Sequence, residues 1–103
     1  MADGPAVGGG GPVRIGIQGS GQRPTELPDP GRYRAVAELA EELGYDSIWA
    51  GEHLSFRNPI LDLGVALATF AAVTQRIMIG AGVVLLPLRH PSHVAKQAAS
   101  LDY

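Results

Sequence analysis

Residues 47–54, Ser-Ile-Trp-Ala-Gly-Glu-His-Leu, are the stretch that decides the fold. A short apolar run, typical of a buried β-strand, stops abruptly at a carboxylate, Glu52, and an imidazole, His53. In parallel α/β folds, chemistry takes place at the C-terminal ends of the strands. The stretch therefore predicts a buried strand that delivers a Glu-His pair to a candidate active-site wall.

On either side of this stretch the sequence alternates between strand and helix patterns. Apolar and β-branched runs predict strands at 13–18, 47–51 and 77–85. Apolar residues at helical spacing predict helices that begin after Asp29-Pro30, cover 63–73 and begin at Pro91. Gly44 is expected to stop the first helix. The β-α-β-α-β-α order repeats at roughly 30 residues, the size of one right-handed βαβ unit. It indicates an α/β fold and leaves a barrel and a doubly wound sheet as alternatives.

A dinucleotide-binding sheet is the less favoured of the two alternatives. It needs a glycine-rich turn that leads directly from the first strand into a helix. Residues 19–24 (GSGQRP) match this turn only in part, because Pro24 occupies the third glycine position. The predicted helix also begins several residues later, so we discount dinucleotide binding there.

Composition bounds the class of protein. The 103 residues allow at most one ordinary domain, and a hydrophobic fraction of 46% is enough for a buried core. The net charge of −2, with both signs interspersed, provides neither a basic surface for nucleic acid nor a polybasic patch for membranes. The chain has no cysteine, which fits a reducing cytoplasm. The apolar run at 77–88 is shorter than the ~18 residues that suggest a membrane span. We therefore expect a cytoplasmic protein without nucleic-acid or membrane partners.

The N-terminal segment differs in composition from the rest of the chain. Residues 1–12 are rich in glycine and proline and have neither a positive start nor an apolar core. They are therefore expected to form a disordered leader rather than a secretory signal. The ordered part is expected to span residues 13–103.

Glu52 and His53 are the first candidates for a functional site. Neighbours in an extended segment point to opposite sides, so one is expected to face the site while the other braces it. The same geometry argues against both binding one metal ion, and no other pattern suggests a metal site. His90 precedes a proline and could line the site or only cap the next helix. Arg89 could meet an anionic group or only pair with a carboxylate at the surface.

Glycines and a tryptophan within the predicted strands also have two interpretations. Gly80 and Gly82 indicate a bulge or a close approach of the backbone to a ligand, or only a crowded barrel interior. Trp49 lies in the middle of an apolar run, so we expect it in the core rather than against a cofactor.

Several blocks of the sequence, in the same order, resemble the luciferase-like monooxygenase superfamily, and within it the coenzyme F-420-dependent oxidoreductases. The resemblance covers residues 13–103. It rests on 37–49 (AELAEELGYDSIW), 51–53 (GEH), 74–77 (TQRI), 86–91 (LPLRHP) and 95–102 (AKQAASLD).

This resemblance implies a TIM (β/α)8 barrel that binds a flavin or deazaflavin at the C-terminal ends of its strands. His53 matches the active-site histidine of the F-420 enzymes, and Glu52 matches an acidic residue beside it. Gly82 and Val83 match a non-prolyl cis peptide that supports the cofactor ring. We therefore assign His53 a catalytic role and expect Glu52, Gly82, Val83 and His90 to contribute to cofactor binding.

The activity implied by the resemblance is that of an oxidoreductase that transfers hydride between its cofactor and a small organic substrate. Coenzyme F-420 is expected because the turns at 51–53 and 88–91 look more like the deazaflavin branch. FMN is the alternative, and with it monooxygenation becomes possible. The full-length protein is expected to form a homodimer.

The length of the chain departs from this family. A TIM barrel takes about 250 residues, whereas the pattern here provides three βα units. We therefore expect residues 13–103 to be the truncated N-terminal (βα)3 portion of such a barrel. The alternative is a non-catalytic flavin-binding or structural remnant. An unrelated TIM-barrel hydrolase is less favoured, because the sequence lacks metal-ligand patterns and the G-x-S-x-G motif of a nucleophile.

Overall fold

The computed structural model describes residues 11–19 and 26–103. Three strands form one sheet: β1 (Gly16–Gln18), β2 (Ser47–Ala50) and β3 (Met78–Ala81). Three helices follow them in turn: α1 (Pro30–Glu42), α2 (Leu63–Val73) and α3 (Pro91–Leu101), with a 3-10 turn at Leu86–Leu88. The strands are parallel and lie in the order β1-β2-β3. The predicted α/β pattern is thus confirmed. Residues 1–10 of the predicted leader lie outside the described residues.

The helices begin and end where their capping residues predict. Asp29 caps α1 by accepting a hydrogen bond from the Gly31 amide at 2.8 Å, and Pro30 occupies the first helical position. Gly44 follows α1 with φ of +83°, in the left-handed region that favours glycine. Asp62 caps α2 by accepting from the Val65 amide at 3.3 Å.

The strands are shorter than the apolar runs that predicted them. Before β1, the Ile15 amide donates to the carboxylate of Asp46 at 2.7 Å rather than to a neighbouring strand. After β3, the Leu85 amide donates to the carboxylate of Glu52 at 2.6 Å. Side chains therefore take the hydrogen bonds that longer strands would have used. The prediction that Gly82 lies inside the third strand is wrong, because it directly follows Ala81, where β3 ends.

One face of the sheet is covered by the helices. Ile17, Ile48 and Ile79 are aligned across the three strands on this face. Ile48 is fully buried, and Phe70 of α2 is fully buried against the same core. The buried core consists of Tyr33, Ala37, Ala40, Ile48, Ala50, Leu63, Ala66, Phe70 and Ile77. Burial of this apolar surface is the main favourable contribution to folding.

The opposite face, which we call the open face, carries Trp49 and Met78, both exposed. The Trp49 indole donates from Nε1 to the Ser47 hydroxyl at 2.8 Å. A Cβ atom placed on Gly16 would lie 2.8 Å from the indole Nε1, and one on Gly80 would lie 2.6 Å from Cε3. The indole therefore lies across the sheet in space left by two glycines. Trp49 is 38% exposed in this chain, so its predicted place in the buried core is wrong.

A carboxylate on α1 fixes the turn that leads into β3. Glu41 accepts hydrogen bonds from three consecutive backbone amides, those of Gln75, Arg76 and Ile77, at 2.7–3.1 Å. The bond from the Ile77 amide contributes most to lowering the pKa of the Glu41 carboxyl to about 2, since all three bonds favour the charged form. These hydrogen bonds hold residues 75–77, which lead into β3, in a fixed position relative to α1.

Candidate active site

His53 lies at the start of the β2–α2 segment, just beyond the C-terminal end of β2. Its side chain is exposed and stacks on Phe56, with ring centroids 4.2 Å apart and the planes 15° from parallel. Both rings line a cleft of about 190 Å³ that also reaches Gln18 at the end of β1. The imidazole is therefore held against an aromatic ring at the mouth of a cleft, where a ligand can reach it.

Glu52, the neighbour of His53, points the other way. Its side chain is only 8% exposed. One carboxylate oxygen accepts from the Leu85 amide at 2.6 Å, and the other accepts from Arg89 Nε at 2.8 Å. Hydrogen bonds from Arg89 lower the pKa of the Glu52 carboxyl, so the group is held as a carboxylate. The two side chains thus point to opposite sides, as expected: Glu52 braces the segment after β3, and His53 lines the cleft. That the cleft is the functional site stays a prediction.

Glycines occupy the last row of the open face. Gly51 follows β2 and Gly82 follows β3, and the Gly82 amide donates to the Ala50 carbonyl at 2.8 Å. A Cβ atom on Gly51 would lie 3.4 Å from the Gly82 carbonyl oxygen and 3.3 Å from Gln18 Nε2. At this end of the sheet, which we call the glycine edge, Gly51 and Gly82 have no side chains, and the Gly82 carbonyl and the Gln18 amide lie close to where a side chain on Gly51 would be. The Gly82–Val83 peptide bond is cis, as the resemblance implies.

His90 caps the helix that follows it. Its Nδ1 accepts from the Ser92 amide at 3.3 Å and lies 2.7 Å from the Ser92 hydroxyl. The His93 ring lies 5.7 Å away on the first turn of α3. The capping interpretation therefore matches the structure, and the role of His90 in cofactor binding stays a prediction.

Arg89 pairs with carboxylates, which is the second of the two interpretations given for it above. Besides Glu52, its guanidinium contacts Asp62 Oδ1 at 2.9 Å. The capping role of Asp62 could be expected from its place before an apolar helix, but no local pattern signals a partner 27 positions away. The stacking of Phe56 on His53 was likewise not predicted, because nothing in the 52–60 loop sequence fixes its path.

A second cavity, of about 260 Å³, lies between α2, β3 and α3. It is lined mainly by aliphatic side chains such as Leu67 and Val94, with Arg89 at one side. Its lining does not include His53. This cavity is therefore separate from the candidate catalytic group, which lines the cleft beside Phe56.

The described residues, 11–19 and 26–103, contain neither a cluster of metal-ligating side chains nor a membrane-spanning helix. Among these residues, no group of three or more histidine, aspartate or glutamate side chains is arranged to hold a metal ion. None of the helices described is long and apolar enough to cross a membrane.

The family of this chain is established by its similarity to known proteins. Residues 12–103 match the luciferase-like monooxygenase family. The chain belongs to this family. It is 41% identical over 80 residues to 4-hydroxyprotoasukamycin monooxygenase of Streptomyces nodosus, a match that covers 73% of this chain and 22% of that protein.

Two further relatives of the chain differ in the activities that their names give. Limonene 1,2-monooxygenase of Rhodococcus erythropolis is 39% identical over 69 residues, which cover 66% of this chain and 18% of that protein. The F-420-dependent glucose-6-phosphate dehydrogenase of Nakamurella multipartita is 33% identical over 97 residues, which cover 87% of this chain and 27% of that protein. The chain thus spans only about a fifth to a quarter of the length of these luciferase-like relatives.

Proposed function

We propose that this chain forms the first three βα units of a TIM (β/α)8 barrel and supplies one wall of an oxidoreductase active site. The support for a barrel is the parallel order β1-β2-β3 with the helices on one face. A doubly wound sheet has helices on both faces. In a closed barrel the open face with Trp49 turns inward, and the C-terminal ends of the strands carry the site.

The observation that carries the proposed chemistry is the placement of His53. Its imidazole is accessible at the end of β2, held on Phe56, and its neighbour Glu52 anchors the same segment to the β3–α3 side. Histidine is the side chain that most often acts as a general acid or base in enzymes. We assign His53 the role of general acid/base towards the reacting substrate.

The glycine edge fits a flat cofactor ring. A planar tricyclic ring needs backbone that it can approach closely. Gly51 and Gly82 carry no side chains, so a ring beside them meets only backbone, the Gln18 amide and the edge of the Trp49 indole. Gln18 and His53 place polar groups on the rim of the adjacent cleft. We propose that the ring of coenzyme F-420 or FMN lies at this edge, with Gly82, Val83 and His90 on its β3 side. When bound, the cofactor supplies the hydride chemistry, and the protein supplies position and electrostatics.

Glu52 contributes to cofactor binding by holding the edge in place, since its oxygens already accept hydrogen bonds from Leu85 and Arg89. We propose F-420 as the cofactor, because the turns at 51–53 and 88–91 resemble those of the deazaflavin enzymes. The monooxygenase names of two relatives support FMN as the second candidate. The substrate is proposed to be a small organic molecule. The homodimer and the cytoplasmic location stay predictions.

The test of this function is a comparison of His53→Ala with His93→Ala in the full-length protein. An acid/base group contributes ~10²–10⁴-fold to the rate, so we expect His53→Ala to lower kcat by that factor while cofactor affinity changes little. His93 is an exposed histidine on α3 that serves as the matched control. Unchanged turnover in His53→Ala would show that His53 is only part of the wall. Cofactor binding without turnover in the unaltered protein would instead favour a non-catalytic flavin-binding protein.

A further inference from the structure

The Arg89 guanidinium lies between two carboxylates that come from different parts of the chain. Glu52 follows β2, whereas Asp62 precedes α2, and both accept hydrogen bonds from Arg89. Asp62 uses its second oxygen to accept from the Val65 amide and so caps α2. One side chain of the β3–α3 segment therefore ties together both ends of the β2–α2 segment.

The burial of this network makes the charge on Arg89 necessary. The Glu52 side chain is 8% exposed and Arg89 is 20% exposed, whereas Asp62 is 55% exposed. A carboxylate buried to this extent is costly unless it is paired with a cation and hydrogen-bonded. Removal of Arg89 would leave Glu52 with the Leu85 amide but without a counter-ion. Of the two carboxylates, Glu52 depends more strongly on Arg89.

Arg89 and its buried partner Glu52 each lie beside a residue of the proposed site. Glu52 directly precedes His53, and Arg89 directly precedes His90. The Leu85 amide, which Glu52 binds, is two residues beyond Val83. The positions of the His53 segment and of the segment after β3 are thus set relative to each other through one guanidinium.

We infer that Arg89 is a positioning residue, which locks the His53 segment onto the β3–α3 segment and so holds the imidazole in register with the glycine edge. This inference rests on the proposed role of His53 for its catalytic consequence, but the locking of the two segments stands on the contacts alone. Arg89 acts through Glu52 and itself contacts neither the cleft nor His53.

The geometry requires arginine rather than lysine. Arg89 binds Glu52 from Nε and reaches Asp62 from the terminal nitrogen Nη2. A planar guanidinium presents donors in a fixed fork, whereas a lysine ammonium is a single point charge. Arg89→Lys therefore keeps the charge but cannot reproduce both contacts, and Arg89→Gln removes the charge as well.

Hydrogen exchange of the Leu85 amide in the cofactor-free full-length protein shows directly whether the two segments are held together, because this amide donates to Glu52. Arg89→Gln removes the hydrogen bonds that hold the Glu52 carboxylate against the Leu85 amide, and a hydrogen bond to a charged group contributes about 1.5–3 kcal/mol. We therefore expect this variant to speed the exchange by roughly tenfold to a hundredfold. Arg89→Lys should lie between Arg89→Gln and the unaltered protein. The Tyr45 amide, bonded to the Ala40 carbonyl at 3.0 Å at the end of α1, lies outside the Arg89 network and should change much less.

The matched control is Arg32→Gln, which breaks the partly exposed ion pair between Arg32 of α1 and Glu26, which precedes α1. Equal Leu85 exchange in Arg89→Gln and Arg32→Gln would overturn the inference. So would equal acceleration at Leu85 and Tyr45, since that indicates general loss of stability.

Turnover separates the inference from the proposed function. We expect Arg89→Gln to lower kcat at least tenfold with a smaller change in KM, and Arg89→Lys to restore part of it. Faster Leu85 exchange with normal kcat in Arg89→Gln would refute the positioning role while the function of His53 stands. If His53→Ala retains full kcat, the proposed function fails, and the exchange data still decide whether Arg89 locks the two segments.

Discussion

The glycine at position 80 is predicted to be required by the indole of Trp49. An added Cβ atom at Gly80 would lie 2.6 Å from both Cε3 and Cζ3 of the indole. Carbon atoms in contact are normally about 3.5–4.0 Å apart, so the ring must shift by about 1 Å. On its other side the indole is held near Gly16 by its hydrogen bond to Ser47.

The size of the effect follows from these contacts. Overpacking of this kind costs about 1–3 kcal/mol, and loss of the Ser47 hydrogen bond would add about 0.5–1.5 kcal/mol. In this chain Trp49 can lift away because it is 38% exposed. In a closed barrel it cannot, so Gly80→Ala in the full-length protein is expected to cost near the upper end of the range.

The decisive assay is a double-mutant cycle that combines Gly80→Ala with Trp49→Leu, in which urea unfolding gives the free energy of unfolding of each protein. Circular dichroism is the appropriate probe, because Trp49→Leu removes the fluorescence of this side chain. Without the indole, Gly80→Ala should be neutral or slightly stabilising, since glycine weakens a strand by about 0.5–1 kcal/mol relative to alanine. An equal loss of stability in both backgrounds would refute the argument, because the cost would then not come from the indole.

Two further predictions concern acid stability and cofactor choice. Because the folded-state pKa of Glu41 is about 2, below its ordinary 4.5, its carboxylate stabilises the fold above about pH 4.5, and this stabilisation is lost as the pH falls towards 2. Glu41→Gln should therefore lower the melting temperature at neutral pH and less so near pH 2; a pH-independent difference, or an equal effect of the neighbouring Glu42→Gln, would contradict this. Titration of the full-length protein with F-420 and FMN should give tighter binding of F-420, and FMN that co-purifies with the protein would refute that choice without changing the family.

The sequence was sufficient where local chemistry and periodicity act together. Helix α2 matches its predicted span because apolar residues recur at helical spacing between the cap at Asp62 and the end at Val73. The opposite directions of the Glu52 and His53 side chains were also predictable, because alternation along an extended segment needs no tertiary information.

The sequence was insufficient where a residue depends on a distant partner. Glu41 accepts from amides about 35 positions away, and the Arg89 contacts to Glu52 and Asp62 span 37 and 27 positions. Nothing local distinguishes these carboxylates from ordinary surface charges. The prediction for Trp49 was wrong for a related reason. An apolar strand has two faces, and the sequence of the strand does not show which face the helices cover.

A crystal structure of the full-length protein with F-420 or FMN bound tests the central claim most directly. The claim is that the C-terminal edge of β1–β3 holds the cofactor ring. We predict that the ring lies against the backbone of Gly51, Gly82 and Val83 and that the His53 imidazole faces the reacting part of the ring. A ring bound in the cavity between α2, β3 and α3, or at any place out of reach of His53, would contradict the claim.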